Sequence, residues 1–186
     1  MIRRALRGLR IWSRAAQSRR RLLWYRCLFA GFSAAKHVSL GRDVDINLLN
    51  AARLAIGEGS VVEPDVQVYV EGQCAIGSGA FIGRGSVIAA AQSVQIGDDA
   101  LIAAYVTIRD QDHGVELSDI PYNRQEKASA PITIGNNVWL GTHVTVLKGV
   151  TIGDGCVVGA NSVVTHDLPS RTICAGVPAR PLRQLT

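Results

Sequence analysis

His113 is the residue in this chain best suited to proton chemistry. It sits in a polar stretch, Arg109-Asp110-Gln111-Asp112-His113-Gly114, with carboxylates one and three residues before it. An imidazole titrates near neutral pH, so it can take a proton from a hydroxyl and return it later in the same reaction. Asp110 or Asp112 is near enough to hold the ring, and a backbone carbonyl could do so equally well. A lone loop histidine is also a common surface residue, so residue type alone leaves the role open. The other histidines, His37, His143 and His166, are scattered. A catalytic zinc needs several converging ligands, and this chain lacks a closely spaced histidine pair, so no metal is expected. Cys27, Cys74, Cys156 and Cys174 form no C-x-x-C pair, which suits free thiols in a reducing compartment.

The elements that must carry His113 follow from a repeat. An aliphatic residue followed by Gly recurs at Leu40-Gly41, Ile56-Gly57, Ile76-Gly77, Ile96-Gly97, Ile134-Gly135 and Ile152-Gly153. Further aliphatics follow in steps of six: Ile56, Val62, Val68; Ile76, Ile82, Ile88; Ile96, Ile102, Ile108; Ile134, Leu140, Val146; Ile152, Val158, Val164. Three hexapeptides make one triangular coil, and stacked coils bury a column of aliphatics. The fifth slot of each leading hexapeptide is small or β-branched (Val44, Ser60, Ala80, Ala100, Val138, Cys156), as a tight corner requires. Packing is therefore the expected role of Cys156. The spacing predicts an all-β parallel β-helix over 36–186, with a looped excursion at 109–131 and a tail at 168–186. A sandwich or barrel would not hold a six-residue register with Gly at a fixed offset.

The net charge of +5 is unevenly spread. Residues 1–42 hold eleven of the twenty basic residues and no acid, whereas residues 43–186 hold nine basic and fifteen acidic residues. A basic isoelectric point is thus no argument for nucleic-acid binding. Residues 1–35 read as a helical segment. Ile2, Ala5, Leu6, Leu9, Trp12 and Ala16 share one face, and Arg3, Arg4, Arg7, Arg10 and Arg14 the other. Three uses compete for residues 2–32: contact with an anionic membrane surface, a cap or interprotomer contact at the open end of the solenoid, and a targeting peptide. Arg26 interrupts the apolar run after Arg19-Arg20-Arg21, and no cleavage site is convincing, which counts against targeting.

The run from Pro131 to Arg183 carries a resemblance. P-I-T-I-G-N-N-V-W-L-G, G-V-T-I-G, G-A-N-S-V-V-T and the closing G-V-P-A-R, preceded by a loop with D-H-G, resemble the hexapeptide-repeat acyltransferases. The likeness is closest to the galactoside, maltose and xenobiotic acetyltransferases, and looser to polysaccharide O-acetyltransferases. It is dense over 96–184 and rests on the repeat alone over 40–95.

The resemblance implies a left-handed β-helix that works as a homotrimer with sites between neighbours. It also implies acetyl-CoA as co-substrate, a carbohydrate acceptor and no metal. His113 matches the base that deprotonates the acceptor for direct attack on the thioester. Trp139 matches the aromatic at the acetyl and pantetheine end, and Gly141 and Thr142 match the stretch whose N–H meets the thioester oxygen. Ala160 matches a backbone contact to the pantetheine arm. Thr165 with His166 matches a pair near the CoA phosphates, where Lys is usual at the second position. Arg180 and Arg183 match basic residues at the nucleotide. The family's acceptor-contacting Asn aligns with Gly85, so a small free sugar is not the expected acceptor. A glycan O-acetyltransferase in the cytoplasm, or peripheral at the inner face of its membrane, is the leading expectation. Acylation of an amino sugar and a non-catalytic scaffold are the alternatives.

Overall fold

A computed structural model describes the backbone from Ile2 onward and the side chains from Ala15 onward. The facial pattern expected over residues 2–14 therefore lies outside the described side chains. Three parallel sheets run the length of a left-handed β-helix, and each coil adds one short strand to each sheet in turn. Sheet A stacks Phe32–Ala34, Arg53–Ile56, Gln73–Ile76, Ser93–Ile96, Ile132–Ile134 and Thr151–Ile152. Sheet B stacks Ser39–Leu40, Val61–Val62, Phe81–Ile82, Leu101–Ile102, Trp139–Leu140, Val157–Val158 and Thr172–Gly176. Sheet C stacks Asp45–Leu48, Gln67–Val70, Val87–Ala90, Thr107–Arg109, Thr145–Val146 and Val163–Val164.

The register follows the repeat. Ile56 pairs with Ile76, Ile76 with Ile96, Ile96 with Ile134 and Ile134 with Ile152. Their side chains point inward, as do those of Leu54, Ile82, Ile88, Ile102, Ile108 and Leu140, all fully buried. One expected start is displaced. Leu40 pairs with Val62 on sheet B, and the residue that stacks on Ile56 is Ala34. Val44 is therefore a B–C corner residue rather than an equivalent of Ser60. The first coil begins at Phe32, ahead of the boundary expected at residue 35. Its opening strand escaped the sequence reading because Ala34 lacks the aliphatic signature.

The two-residue insertions of the longer coils lie on sheet C. Gln67–Val70 buries both Val68 and Val70, whereas Thr145–Val146 in an eighteen-residue coil buries Val146 alone. Longer strands give the lower half of sheet C a wider outer face. At the B–C corner, Asp65, Gly85, Tyr105, His143 and Asn161 all adopt positive φ, from 58° to 67°. Each donates its N–H to a carbonyl of the preceding coil, as from Tyr105 to Arg84 (2.8 Å) and from Asn161 to Thr142 (2.9 Å). The left-handed conformation turns each corner, and the ladder bond offsets part of its strain.

Helix α1 (Ile2–Leu28) lies across the open end of the first coil. Ser18 Oγ accepts from Leu40 N (2.8 Å), and Arg21 Nη2 donates to Leu40 O (2.6 Å). Tyr25 OH donates to Val44 O (2.6 Å) and accepts from Ile46 N (3.2 Å). These backbone groups have no coil beneath them, and an unpaired ladder edge is costly when covered or prone to pairing with another chain when exposed. The second half of α1 is thus a cap, one of the three uses expected. Desolvation pushes the Tyr25 phenol above its ordinary range. At the other end Ala179–Gln184 folds back antiparallel on Thr172–Gly176, so the expected tail is an ordered hairpin that closes sheet B. Among the described residues, no helix is long and apolar enough to cross a membrane.

Candidate functional site

The excursion leaves the solenoid at the end of strand Thr107–Arg109, where sheet C turns toward sheet A. Its root is Asp110, fully buried. The Asp110 carboxylate accepts from Ala91 N (2.7 Å) at Oδ1 and from Gln92 N and Ser93 N (both 2.8 Å) at Oδ2. Its backbone carbonyl accepts from Ala130 N (2.9 Å), tying the outgoing chain to the returning one. Asp167 caps Thr151 N (2.7 Å) at the same kind of corner two coils on. Gln111–Asp112 then pairs antiparallel with Ala128–Ser129. Asp112 forms an ion pair with Lys148, and Lys127 on the returning strand pairs with Glu71 (3.6 Å).

His113 stands immediately beyond this clamp, exposed, beside a cavity of about 130 Å³ lined by Arg109, Gln111, Asp112 and Lys127. Of the groups that could orient the ring, neither neighbouring carboxylate does so here. Asp110 is committed to three backbone amides and Asp112 to Lys148, so neither is bonded to the imidazole. The carboxylates instead fix the strand from which His113 projects. The reason is topological, since a chain that breaks register after sheet C leaves corner amides that need an acceptor.

The thioester-end candidates lie on another face. Trp139 points outward from sheet B and is 48% exposed. Its rung continues outward through Val157 and Ile173 to Arg183. Successive strands lie about 4.8 Å apart, so Trp139 and Arg183 are separated by roughly 14 Å along the column. Beside this column runs a strip of small residues: Gly141, Gly159 and Ala175, the last paired with Arg180. A Cβ at Gly141 would lie 2.6 Å from Ala160 N, so only glycine keeps the coils in contact there.

Within the Gly141–Thr142 stretch the two amides differ. The Gly141 N–H donates to Val158 O (2.8 Å) within the ladder and is already used. The Thr142 N–H donates to no acceptor among the described residues. Ala160, one coil further, is exposed, and its N–H likewise takes no part in the ladder. Arg180 and Arg183 are exposed on the closing hairpin, with Arg180 Nη1 donating to Ala179 O (3.3 Å). Thr165 and His166 are bonded to each other (Oγ1···Nδ1, 2.7 Å) after the last strand of sheet C, a face away from the arginines. One chain therefore does not gather all the candidates, and the cavity at His113 includes none of Trp139, Thr142 or Ala160.

Gly85 is shaped by its coil. Its φ is +67°, and a Cβ there would lie 2.5 Å from Tyr105 Cε1. The Tyr105 ring in turn stacks on His143 (centroids 5.2 Å apart, 10° between planes). This aromatic pair flanks Thr142 and was not anticipated. The available signal was its place two residues after the small corner residue in Ala103-Ala104-Tyr105 and Gly141-Thr142-His143. The buried thiols are inert: burial pushes Cys74 and Cys156 up to about 12. The Cys156 thiol donates to Cys174 Sγ at 4.0 Å, and both cysteines are free. Packing is the use the structure makes of Cys156.

The family described as bacterial transferase hexapeptide (six repeats) matches residues 131–166, and the hexapeptide repeat of succinyl-transferase matches 73–109. The galactoside O-acetyltransferase of Escherichia coli is 40% identical over 139 residues, spanning 75% of this chain and 68% of that protein. The chain belongs to the hexapeptide-repeat acetyltransferases. An Escherichia coli protein named for colanic acid biosynthesis as an acetyltransferase, WcaF, is 33% identical over 139 residues, covering 74% of this chain and 72% of the relative. A solved galactoside acetyltransferase in complex with coenzyme A superposes with a TM-score of 0.58 at 31% identity, covering 83% of this chain and 66% of that one. Membership makes the enzyme an acyltransferase, and the strip from Trp139 to Arg183 is a chemically suitable bed for an extended amide-bearing arm ending in phosphates.

Proposed function

We propose that this enzyme transfers an acetyl group from acetyl-CoA to a sugar hydroxyl of a bacterial glycan, with His113 as general base. The observation that carries this reading is the position of His113: an exposed imidazole one residue beyond a strand held rigid from below by Asp110 and from the side by Lys148. A hydroxyl is a weak nucleophile until a base takes its proton, and a positioned base contributes about 10²–10⁴-fold. The hydroxyl proton moves to the imidazole as the oxygen attacks the thioester carbonyl. The tetrahedral oxyanion accepts a hydrogen bond from Thr142 N–H, the donor left over by the coil ladder. The C–S bond then breaks, the imidazolium returns its proton to the departing sulfur, and the products are the ester and free CoA. No covalent enzyme intermediate is needed, in keeping with thiols that stay protonated.

Trp139 would pack against the acetyl and pantetheine end. The Thr142 to Ala160 edge would offer main chain to the pantetheine amides, and Arg180 and Arg183 would pair with phosphates, as guanidinium groups do well. His113 and Trp139 project from different faces of the prism. We therefore infer a homotrimer in which the base of one protomer meets the thioester held on its neighbour, and in which Thr165 and His166 approach the phosphates from the neighbour's side. The relatives' names, a galactoside acetyltransferase and a colanic acid biosynthesis protein, support a carbohydrate acceptor.

A cytoplasmic enzyme, peripheral at the membrane's inner face, fits the outer flank of α1. That flank exposes Leu23, Trp24 and Leu28 beside Arg19 and Arg20, a pattern suited to anionic lipid. An amine acceptor could use the same base, so acylation of an amino sugar is the second chemistry for this geometry. Incubation with labelled acetyl-CoA and a panel of sugar, amino-sugar and polymeric glycan acceptors tests the reading. Transfer to hydroxyl acceptors that is lost in His113→Ala supports it. Undiminished transfer by that variant overturns the base assignment.

A further inference from the structure

The wide outer face of sheet C carries Asn47, Tyr69, Ala89 and Arg109 on four successive rungs. Tyr69 and Arg109 thus stand two strand spacings apart, roughly 10 Å, on either side of Ala89. Only methyl groups lie between them. Ala89, Ala90 and Ala91 floor a cavity of about 230 Å³, walled by Asn47, Tyr69, Glu71, Arg109 and Gln111. That volume is equivalent to about eight waters in the bulk liquid, a space on the scale of one sugar ring. Arg109 and Gln111 also wall the smaller cavity at His113, so the two spaces adjoin.

Two polar groups in this slot lack partners. Gln111 Oε1 is buried and accepts no hydrogen bond, an uncommon state for a buried acceptor, and a turn of this wall side chain would present it to a ligand hydroxyl. Arg109 forms no ion pair among the described residues, whereas the acids that line the two cavities are already paired: Glu71 with Lys127 and Asp112 with Lys148. Asp45, two residues before Asn47 on the same strand, accepts from the Tyr69 hydroxyl (3.2 Å). The slot therefore offers an aromatic face on one side, an unneutralised guanidinium on the other and a waiting acceptor beside the base.

We propose that this slot is the acceptor subsite and that it selects an acidic sugar. The Tyr69 ring packs on one face of the sugar, Gln111 Oε1 accepts from a ring hydroxyl, and Arg109 pairs with the carboxylate as a two-pronged donor. The assignment rests on His113 being the base, since that is what makes the adjoining space an acceptor site. A neutral sugar would leave the guanidinium without its anion, so the selectivity is built into one residue.

Saturation-transfer NMR on the full chain, with CoA present, compares methyl β-glucuronide with methyl β-glucoside. The glucuronide should bind at least tenfold more tightly. Arg109→Gln should bring the two within twofold of each other, Arg109→Lys should retain part of the preference, and Tyr69→Ala should weaken both sugars. Arg109 and Tyr69 are exposed, so unchanged melting of the variants checks that the fold is intact. Equal affinities in the native enzyme, no binding of either glycoside, or a preference that survives Arg109→Gln would each overturn the subsite. The base is scored separately, by acetyl transfer in His113→Ala. Loss of the base reading leaves the binding preference measurable, and loss of the preference leaves the base reading standing.

Discussion

Asp110 is the residue on which the excursion stands, and its removal has a calculable effect. Its two carboxylate oxygens take three backbone N–H groups from Ala91, Gln92 and Ser93 at 2.7–2.8 Å. Asp110→Ala leaves those three donors without an acceptor in a partly closed corner. An unsatisfied buried donor costs about 1–3 kcal/mol, and water can reach some of this corner, so a total of about 4 kcal/mol is expected. For a chain of this size, 1 kcal/mol shifts Tm by about 2–4 °C, so melting should fall by about 10 °C. Asp110→Asn keeps one acceptor and turns an amide donor toward the other amides, and should recover less than half of the loss. Because His113 projects three residues on, both variants should lower kcat while leaving the KM for acetyl-CoA within twofold. Hydrogen exchange gives the direct test: the amides of Ala91, Gln92 and Ser93 should lose protection in both variants. Retained protection and a Tm change under 3 °C in Asp110→Ala would refute the claim that the carboxylate is a corner clamp. An orienting role toward the histidine would then return to consideration.

Other outcomes follow from the same contacts. His113→Ala should lower turnover by about 10²–10⁴-fold, with CoA affinity, measured by calorimetry, changed less than twofold. Arg180→Ala with Arg183→Ala should instead raise the KM for acetyl-CoA and flatten its dependence on salt, since those side chains would meet phosphate charge. Stability should decline above pH 9: the unfolded thiols ionise near 9, whereas folded Cys74 and Cys156 resist to about 12. The raised folded values mean stability is intact below pH 9 and lost between 9 and 12, at about 1.4 kcal/mol per pH unit for each thiol. Denaturant titrations of a Cys74→Ala, Cys156→Ala variant should show a flatter alkaline limb. Trp24→Glu with Leu28→Glu should abolish co-flotation with anionic vesicles, and because Trp24 packs edge-on against the capping Tyr25 (centroids 4.9 Å apart) a small fall in Tm should accompany it; unchanged flotation would remove the membrane reading.

The repeat made the architecture legible in one dimension. A side chain every six residues must face the axis of a three-sided coil, so the sequence alone places Ile56, Ile76, Ile96, Ile134 and Ile152 in one stack. The break after Ile108 located the excursion for the same reason. Phase is less legible where the signature thins: Ala34, not Leu40, stacks on Ile56, and its small side chain hides the first strand. What only the folded chain decides is which polar groups are already taken. Sequence proximity suggested Asp110 and Asp112 as partners of His113, yet coil stacking gives one to three amides and the other to Lys148. The same stacking occupies the N–H of Gly141 and leaves that of Thr142 free. Tyr69, Ala89 and Arg109, twenty residues apart, become neighbours only because each coil lies directly on the last. Inward-facing aliphatics repeat along the chain and can be read there, but hydrogen-bond partners are set by contacts between coils, and those exist only once the solenoid has closed.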